Sequence, residues 1–518
     1  MLIAAGRMRS VRRCLPLLLV LCAGFQAAQA QSGSAASSDN QPVVRSTASQ
    51  LPAMGDASEL TTSAERRLGD RIAREIYRDP DYIDDPVLAE YVDGIWQSLL
   101  TAARSRGDIS TELDQRFAWE IMMGRDRSVN AFALPGGYMG LHMGLIAVVA
   151  SRDELASVMA HELSHVTQRH ISRLTSKQNA QTPWLIGAMI LGALAASKSP
   201  DAANALIAGG QAVVMQNQLN FSRDMEREAD RVGFGVMHDA GFAPQGFASM
   251  FEKLQVASRL NDNGAFPYLR SHPLTTERIA DIRGRLPLAA TAPAAPLQMD
   301  HAMASARARV LSNAAIDAQR HTVALAGDRS MADRAPAAKA AVLYAATLAA
   351  AQMRDFAPAK DLLARLQVLT QDNPPARRLA TLLEIEVALL SGEPAPEINP
   401  TGRAELLLMS QVWIREGRPA LAAGPLQSWV ALHPRDASAW QMLGRVSAAQ
   451  GQPLRSIRAE AEAQVALFDY SAAMDRFKAA QGMVRSASGG IDHIEASIID
   501  TRARQVQSLL REQALERQ

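Results

Sequence analysis

SRDELASVMAHELSHVTQRHISRL, residues 151–174, decides how this chain is read. It opens with a capping box. Ser151 can accept from the backbone N–H of Glu154, and Glu154 can reach back to Ser151. Leu155, Val158, Met159 and Val166 then recur at helical spacing. On that helix lies His161-Glu162-Leu163-Ser164-His165, an H-E-x-x-H pattern. A spacing of i, i+4 puts both imidazoles on one face, about 6 Å apart at their roots. From there two ring nitrogens can meet one Zn²⁺. Glu162 is placed to take a proton from a water at the metal rather than to bind the metal.

A third ligand is needed. A metzincin would carry Gly at 168 and His at 171, but the chain has Gln168 and Ile171. His170 lies nine residues after His161, about 180° round a continuous 3.6-residue helix, and is expected at the surface. The better candidate is downstream, in Ser222-Arg223-Asp224-Met225-Glu226-Arg227-Glu228-Ala229-Asp230. Glu226 and Asp230 share a helical face, and Ala229 and Gly233 are small enough to let this helix approach another. Glu226 would complete a His₂Glu site with one position left for water. Asp230 would accept the spare ring N–H of a ligating histidine. Glu228 is expected on a solvated face among Arg223, Arg227 and Arg231.

Four motifs in order, Asn130–Gly137 (NAFALPGG), HELSH, SRDMEREAD and Ser271–Ile279 (SHPLTTERI), resemble the zinc peptidase family that includes HtpX and the CAAX prenyl proteases. The resemblance is to its periplasmic, BepA-type branch with a C-terminal repeat domain. It implies one Zn²⁺ per chain held by His161, His165 and Glu226, with Glu162 as general base. It also implies action on unfolded or misassembled outer-membrane proteins, with the repeats docking the assembly machinery or its clients.

The chain has 518 residues, too many for one core. Residues 1–30 read as a signal peptide: Arg7, Arg9, Arg12 and Arg13 precede an apolar run from Cys14 to Phe25, and Ala28-Gln29-Ala30 is a cleavage site. Its removal leaves a chain without cysteine, suited to the periplasm without a disulfide framework. It also leaves 50 basic against 53 acidic residues, about −3, which gives no case for nucleic acid. Residues 31–60 form a flexible lead-in.

A zincin-like α+β peptidase domain is expected over 61–285. Helices start at Thr62 and near Val87, and short strands over Arg116–Met123 and Ser128–Leu141 flank the Pro135-Gly136-Gly137 turn. In zinc peptidases an edge strand beside the metal holds substrate extended, and the strand entering this turn is the candidate. Trp184–Ala196 and Ala203–Met215 are apolar but too short to cross a bilayer. They suit a helical hairpin over the active site, a peripheral membrane contact, or a buried core pair. His272-Pro273 allows three roles: donating to the oxyanion, closing the fourth metal position, or capping a helix remote from the metal.

Residues 286–298 are an Ala/Pro linker. Over 299–518, Trp413, Gly417, Ala422, Leu426 and Pro434 occupy tetratricopeptide positions, repeated at Trp440, Leu443, Gly444 and Gly451. Fainter copies surround Leu343–Asp372 and Tyr470–Ala480, giving three to five repeats. The expected fold class is therefore mainly α with a small sheet, a peptidase domain followed by an α-helical solenoid. Two rival functions fit the same residues: an assembly chaperone with secondary protease activity, and a maturation protease with one dedicated substrate.

Overall fold

The computed structural model describes residues 60–177, 222–259, 266–286, 297–486 and 492–515. The expected signal peptide, most of the expected lead-in, the apolar stretches within 184–215 and most of the expected Ala/Pro linker lie outside these residues. Among the described residues no helix is long and apolar enough to cross a membrane.

Helices α1 (Thr62–Arg78) and α2 (Pro86–Arg106) start where the sequence predicts, each with a side-chain cap: Thr61 accepts from Ala64 and Asp85 from Leu88. A short α3 (Thr111–Arg116) leads into strands β1 (Glu120–Gly124), β2 (Ala131–Leu134) and β3 (Tyr138–His142). The sheet order is β1-β3-β2, with β1 parallel and β2 antiparallel to β3. Arg116, expected at a strand start, instead ends α3. The turn between β2 and β3 uses Gly136 and Gly137 at φ of 73° and 86°. A Cβ at Gly137 would lie 2.7 Å from that of Phe117, so the turn needs glycine twice over. Helices α4 (Met143–Val148) and α5 (Arg152–Thr167) follow, and α5 carries the HELSH motif.

Ser151 caps α5 through the Glu154 N–H at 3.1 Å. The Glu154 carboxylate accepts from Ala150 N–H and Lys253 Nζ, at 2.6 Å each, rather than from Ser151. Every α5 residue from Glu154 to Thr167 is buried, because strands cover one side and helices the others. After α6 (His170–Lys177) the described chain resumes in α7 (Arg223–Asp239), α8 (Gln245–Arg259), one turn α9 (Tyr268–Ser271) and α10 (Thr276–Arg285). Helix α7 lies directly on α5: a Cβ on Gly233 would approach Ala160 O to 3.0 Å and His161 N to 3.1 Å.

From Met299 to Leu515 the chain is helical hairpins. Trp413 is near the end of helix Arg403–Arg415, Gly417 makes the turn at φ 73°, and Ala422 and Leu426 are buried in helix Ala420–Leu432. The next hairpin, Ala437–Ala449 with Pro453–Ala466, turns through Gly451 at φ 69°. A hairpin also forms at 336–370, and helices Tyr470–Ser486 and His493–Leu515 share one core, where the fainter copies lie.

The packing does not divide where the periodicity does. The described residues from 60 onward fall in one compact unit. Helix α11 (Met299–Leu311), just past the linker, is shared: Ala304 and Ala308 belong to the peptidase core, and Met303, Ala306 and Val310 to the repeat core. Between them Arg307, 3% exposed, donates to Asp85 at the start of α2 (2.7 Å twice), to Glu386, and to the Tyr344 hydroxyl (3.0 Å). Arg403 likewise reaches Asp84 and Asp436, and Arg435 reaches Glu120 (2.6 Å) and the Tyr138 hydroxyl (2.7 Å).

Candidate metal centre

Helix α5 presents His161 and His165 one turn apart, and α7 presents Glu226 opposite them. The loop after α9 brings His272. These four donors are all buried and lie within 4.8 Å of one another. His161 Nε2 is 3.0 Å from His165 Nε2, 3.3 Å from His272 Nδ1 and 3.5 Å from Glu226 Oε2. Glu226 Oε1 is 3.0 Å from His272 Nδ1 and 3.4 Å from His165 Nε2. Donors about 2.0–2.1 Å from one tetrahedral ion are themselves about 3.3 Å apart. The measured separations bracket that value, so the residues fit Zn²⁺.

The electrostatics agree. Burial alone would lower the His161 pKa, yet Asp230 and Glu226 draw it up to about 9. The pocket thus favours a positive charge, which a metal ion supplies in place of the proton. His165 is held well below the ordinary imidazole value, first by burial, and so is neutral, as a ligand must be. Burial would raise Glu226, but the nearby histidines, His272 foremost, bring it well below the usual carboxylate range.

Around the donors stands a second layer. Asp230 Oδ1 lies 3.0 Å from His161 Nδ1, the spare ring nitrogen. Arg278, at the start of α10, donates to both Asp230 oxygens (2.7 and 2.8 Å) and pairs with Glu226 at 2.6 Å. Its own pKa is raised, since those two carboxylates outweigh burial. The sequence reading missed Arg278 as part of the site, although it stands in the SHPLTTERI motif.

Glu162 is fully buried. Its Oε2 accepts from the Ala133 N–H of β2 at 2.8 Å, while its Oε1 has no hydrogen-bond partner among the described residues. His272 Nε2 stands 3.4 Å from that oxygen. The His272 ring stacks on Tyr268, centroids 4.6 Å apart, and the following Pro273 carbonyl accepts from Arg278 at 2.9 Å. His272 is therefore brought to the donors and is not a remote cap.

Two expectations are corrected. His170 is fully buried, not at the surface. The helix does not run on past Thr167: Gln168 caps it and Arg169 takes a left-handed φ of 52°, so counting turns from His161 fails there. Glu228, its side chain half-buried, pairs with His170 (3.1 Å) and Arg173 (2.8 Å) rather than with the arginines of its own helix.

Residues 97–286 match the model for Peptidase family M48. This domain is an M48 peptidase domain. The chain is 34% identical over 331 residues to a Vibrio cholerae serotype O1 protein provisionally named a beta-barrel assembly-enhancing protease, covering 62% of this chain and 64% of that one. It is 27% identical over 428 residues to the beta-barrel assembly-enhancing protease of Yersinia pestis, covering 80% and 83%. The mitochondrial metalloendopeptidase OMA1 of Saccharomyces cerevisiae is 29% identical over 203 residues, covering 38% and 56%. The match to the Vibrio protein spans somewhat under two thirds of that relative's length. The M48 domain and the His-His-Glu-His group together identify the metal as zinc.

Proposed function

We propose that this chain is a zinc metalloendopeptidase of the periplasm acting on outer-membrane β-barrel proteins that are unfolded or misassembled. His161, His165 and Glu226 would hold the zinc, and Asp230 would fix the His161 tautomer. Bound there, Zn²⁺ would polarise the scissile carbonyl and acidify a water. Glu162 would take that water's proton through Oε1, which accepts no hydrogen bond among the described residues, and later pass it to the leaving amine. Ala133 N–H holds the other oxygen, so the base is aimed.

The observation carrying this reading is that pairing: a fully buried carboxylate oxygen that accepts no hydrogen bond among the described residues, beside four donors at metal-ligand separations. The substrate class draws on the names of the relatives, and the periplasm on residues 1–30, which read as a signal peptide. Strand β2 supports extended binding of substrate: it is one of the two outer strands of the sheet, and alternation leaves the Ala131 backbone groups and the Ala133 carbonyl off the ladder with β3, while the Ala133 N–H is taken by Glu162. The repeats would dock clients or assembly machinery.

His272 is proposed as a gate. An oxyanion donor would stand off the metal, whereas His272 Nδ1 lies among the ligand atoms at 3.0 and 3.3 Å. The resting site would then be closed, which suits a protease released among unfolded clients.

The test is Glu162→Gln in the full chain. It should retain one zinc per chain and lose cleavage of an unfolded substrate by several orders of magnitude. Retained turnover would remove Glu162 as the base.

A further inference from the structure

Neither the peptidase reading nor the H-E-x-x-H motif accounts for His170. Its imidazole is completely buried, and its ring centroid is 4.8 Å from that of His165, with planes at 75°. His170 Nδ1 lies 2.8 Å from His165 Nδ1. On its far side His170 Nε2 lies 3.1 Å from Glu228 Oε2, and Arg173 Nη1 donates to that same oxygen at 2.8 Å. Three groups thus run in line behind the metal-facing nitrogen of His165.

The tautomers in this line are forced. His165 turns Nε2 toward the other donors, so in the neutral ligand its proton sits on Nδ1. The 2.8 Å contact then requires His170 Nδ1 to be the acceptor. A neutral imidazole with a bare Nδ1 carries its proton on Nε2, where Glu228 accepts it. Each contact fixes the sense of the next.

The backbone is shaped to allow this. The two histidines are five positions apart, a spacing that on one helix would put them about 140° apart. The break at Gln168 and the left-handed Arg169 fold the chain back so that His170 comes under His165. A non-glycine residue at that φ is strained and persists only when its surroundings hold it. Arg169 is held: its guanidinium donates to the buried Glu65 at 3.0 Å and also to the Leu60 carbonyl.

The geometry points to His170 as the positioning residue for His165, accepting its Nδ1–H and anchored in turn by Glu228 and Arg173. The two ligand histidines would then be oriented differently, His161 by a carboxylate directly and His165 by an imidazole that relays to one. Outer contacts of this kind contribute about 10- to 100-fold in metal affinity. The inference rests on the zinc centre described above.

The experiment measures zinc affinity of the full chain by competition with a chromophoric chelator, alongside the unfolding midpoint of the metal-free protein. His170→Phe keeps a ring but no acceptor, and should weaken zinc about 10- to 100-fold. His170→Asn can present Oδ1 where Nδ1 stood, and should recover most of that loss. If Phe and Asn bind zinc equally weakly, the ring's packing matters and not its acceptor, and the inference is overturned. It is overturned too if His170→Phe binds zinc as wild type does. Should His170→Phe fail to fold, Glu228→Leu decides: the anchor's loss should weaken zinc severalfold without moving the metal-free midpoint, and unchanged affinity refutes the relay. A wild-type chain that takes up no zinc overturns the metal centre itself, a result distinguishable from wild-type binding with an unaffected variant.

Discussion

Arg307→Met would remove the one cation between two buried carboxylates. Asp85 is 8% exposed and the Glu386 side chain 14%, and Arg307 donates to both as well as to the Tyr344 hydroxyl. Breaking a buried pair costs about 3–5 kcal/mol, because the remaining charges are left without a partner. Glu386 sits above the ordinary carboxylate pKa, because burial outweighs the pull of Arg307. At about 1.4 kcal/mol per tenfold, the opened population rises roughly a hundred- to several-thousand-fold. Because Arg307 stands on the helix shared by both cores, the opening should appear there. Hydrogen–deuterium exchange across 299–311 and 86–106 should accelerate by that factor. The triple change Arg307→Met, Asp85→Asn, Glu386→Gln should recover most of the protection, since Asn still caps α2 and no charge is buried. Acceleration under tenfold in the single variant, or no recovery in the triple, would refute the reasoning.

Glu226→Gln should lose zinc on dialysis where Glu162→Gln keeps it, since a neutral amide replaces an anionic ligand; metal analysis distinguishes them. His272→Ala should speed cleavage of a flexible substrate if His272 gates, and slow it about 10²-fold if it serves the oxyanion; the sign decides. Asp436 titrates below its ordinary 3.8, because Arg403 outweighs the burial that would raise it. The contribution of that pair is therefore present above pH 3.8 and lost as pH falls through the lower folded value. Thermal melts should show an acid loss of stability that shrinks in Arg403→Met.

The clustering of His161, His165 and Glu226 was legible because these residues sit on unbroken helices, where spacing converts directly into direction. His161, His165, Glu226 and Asp230 each lie where that conversion puts them, and Gly233 allows the helices to meet. His170 was misplaced for the complementary reason. The break before it depends on Arg169 holding a left-handed conformation through Glu65, 104 residues away, and no local residue announces it. Helix α11 shows a second limit. MDHAMASARARVL has small apolar residues on every side, and it follows an Ala/Pro stretch that reads as a boundary. Its two-sided burial depends on partners from α2 and from helix Pro374–Ser391, far apart in the chain. The role of His272 was open from sequence because a histidine before proline carries no direction; its place among the donors is a tertiary fact.

The most direct test of the account is a crystal structure of the zinc-loaded wild-type chain. The account predicts Zn²⁺ on His161, His165 and Glu226, with His272 Nδ1 in the fourth position and His170 behind His165. A metal elsewhere, or a water in the fourth position with His272 turned away, would contradict it.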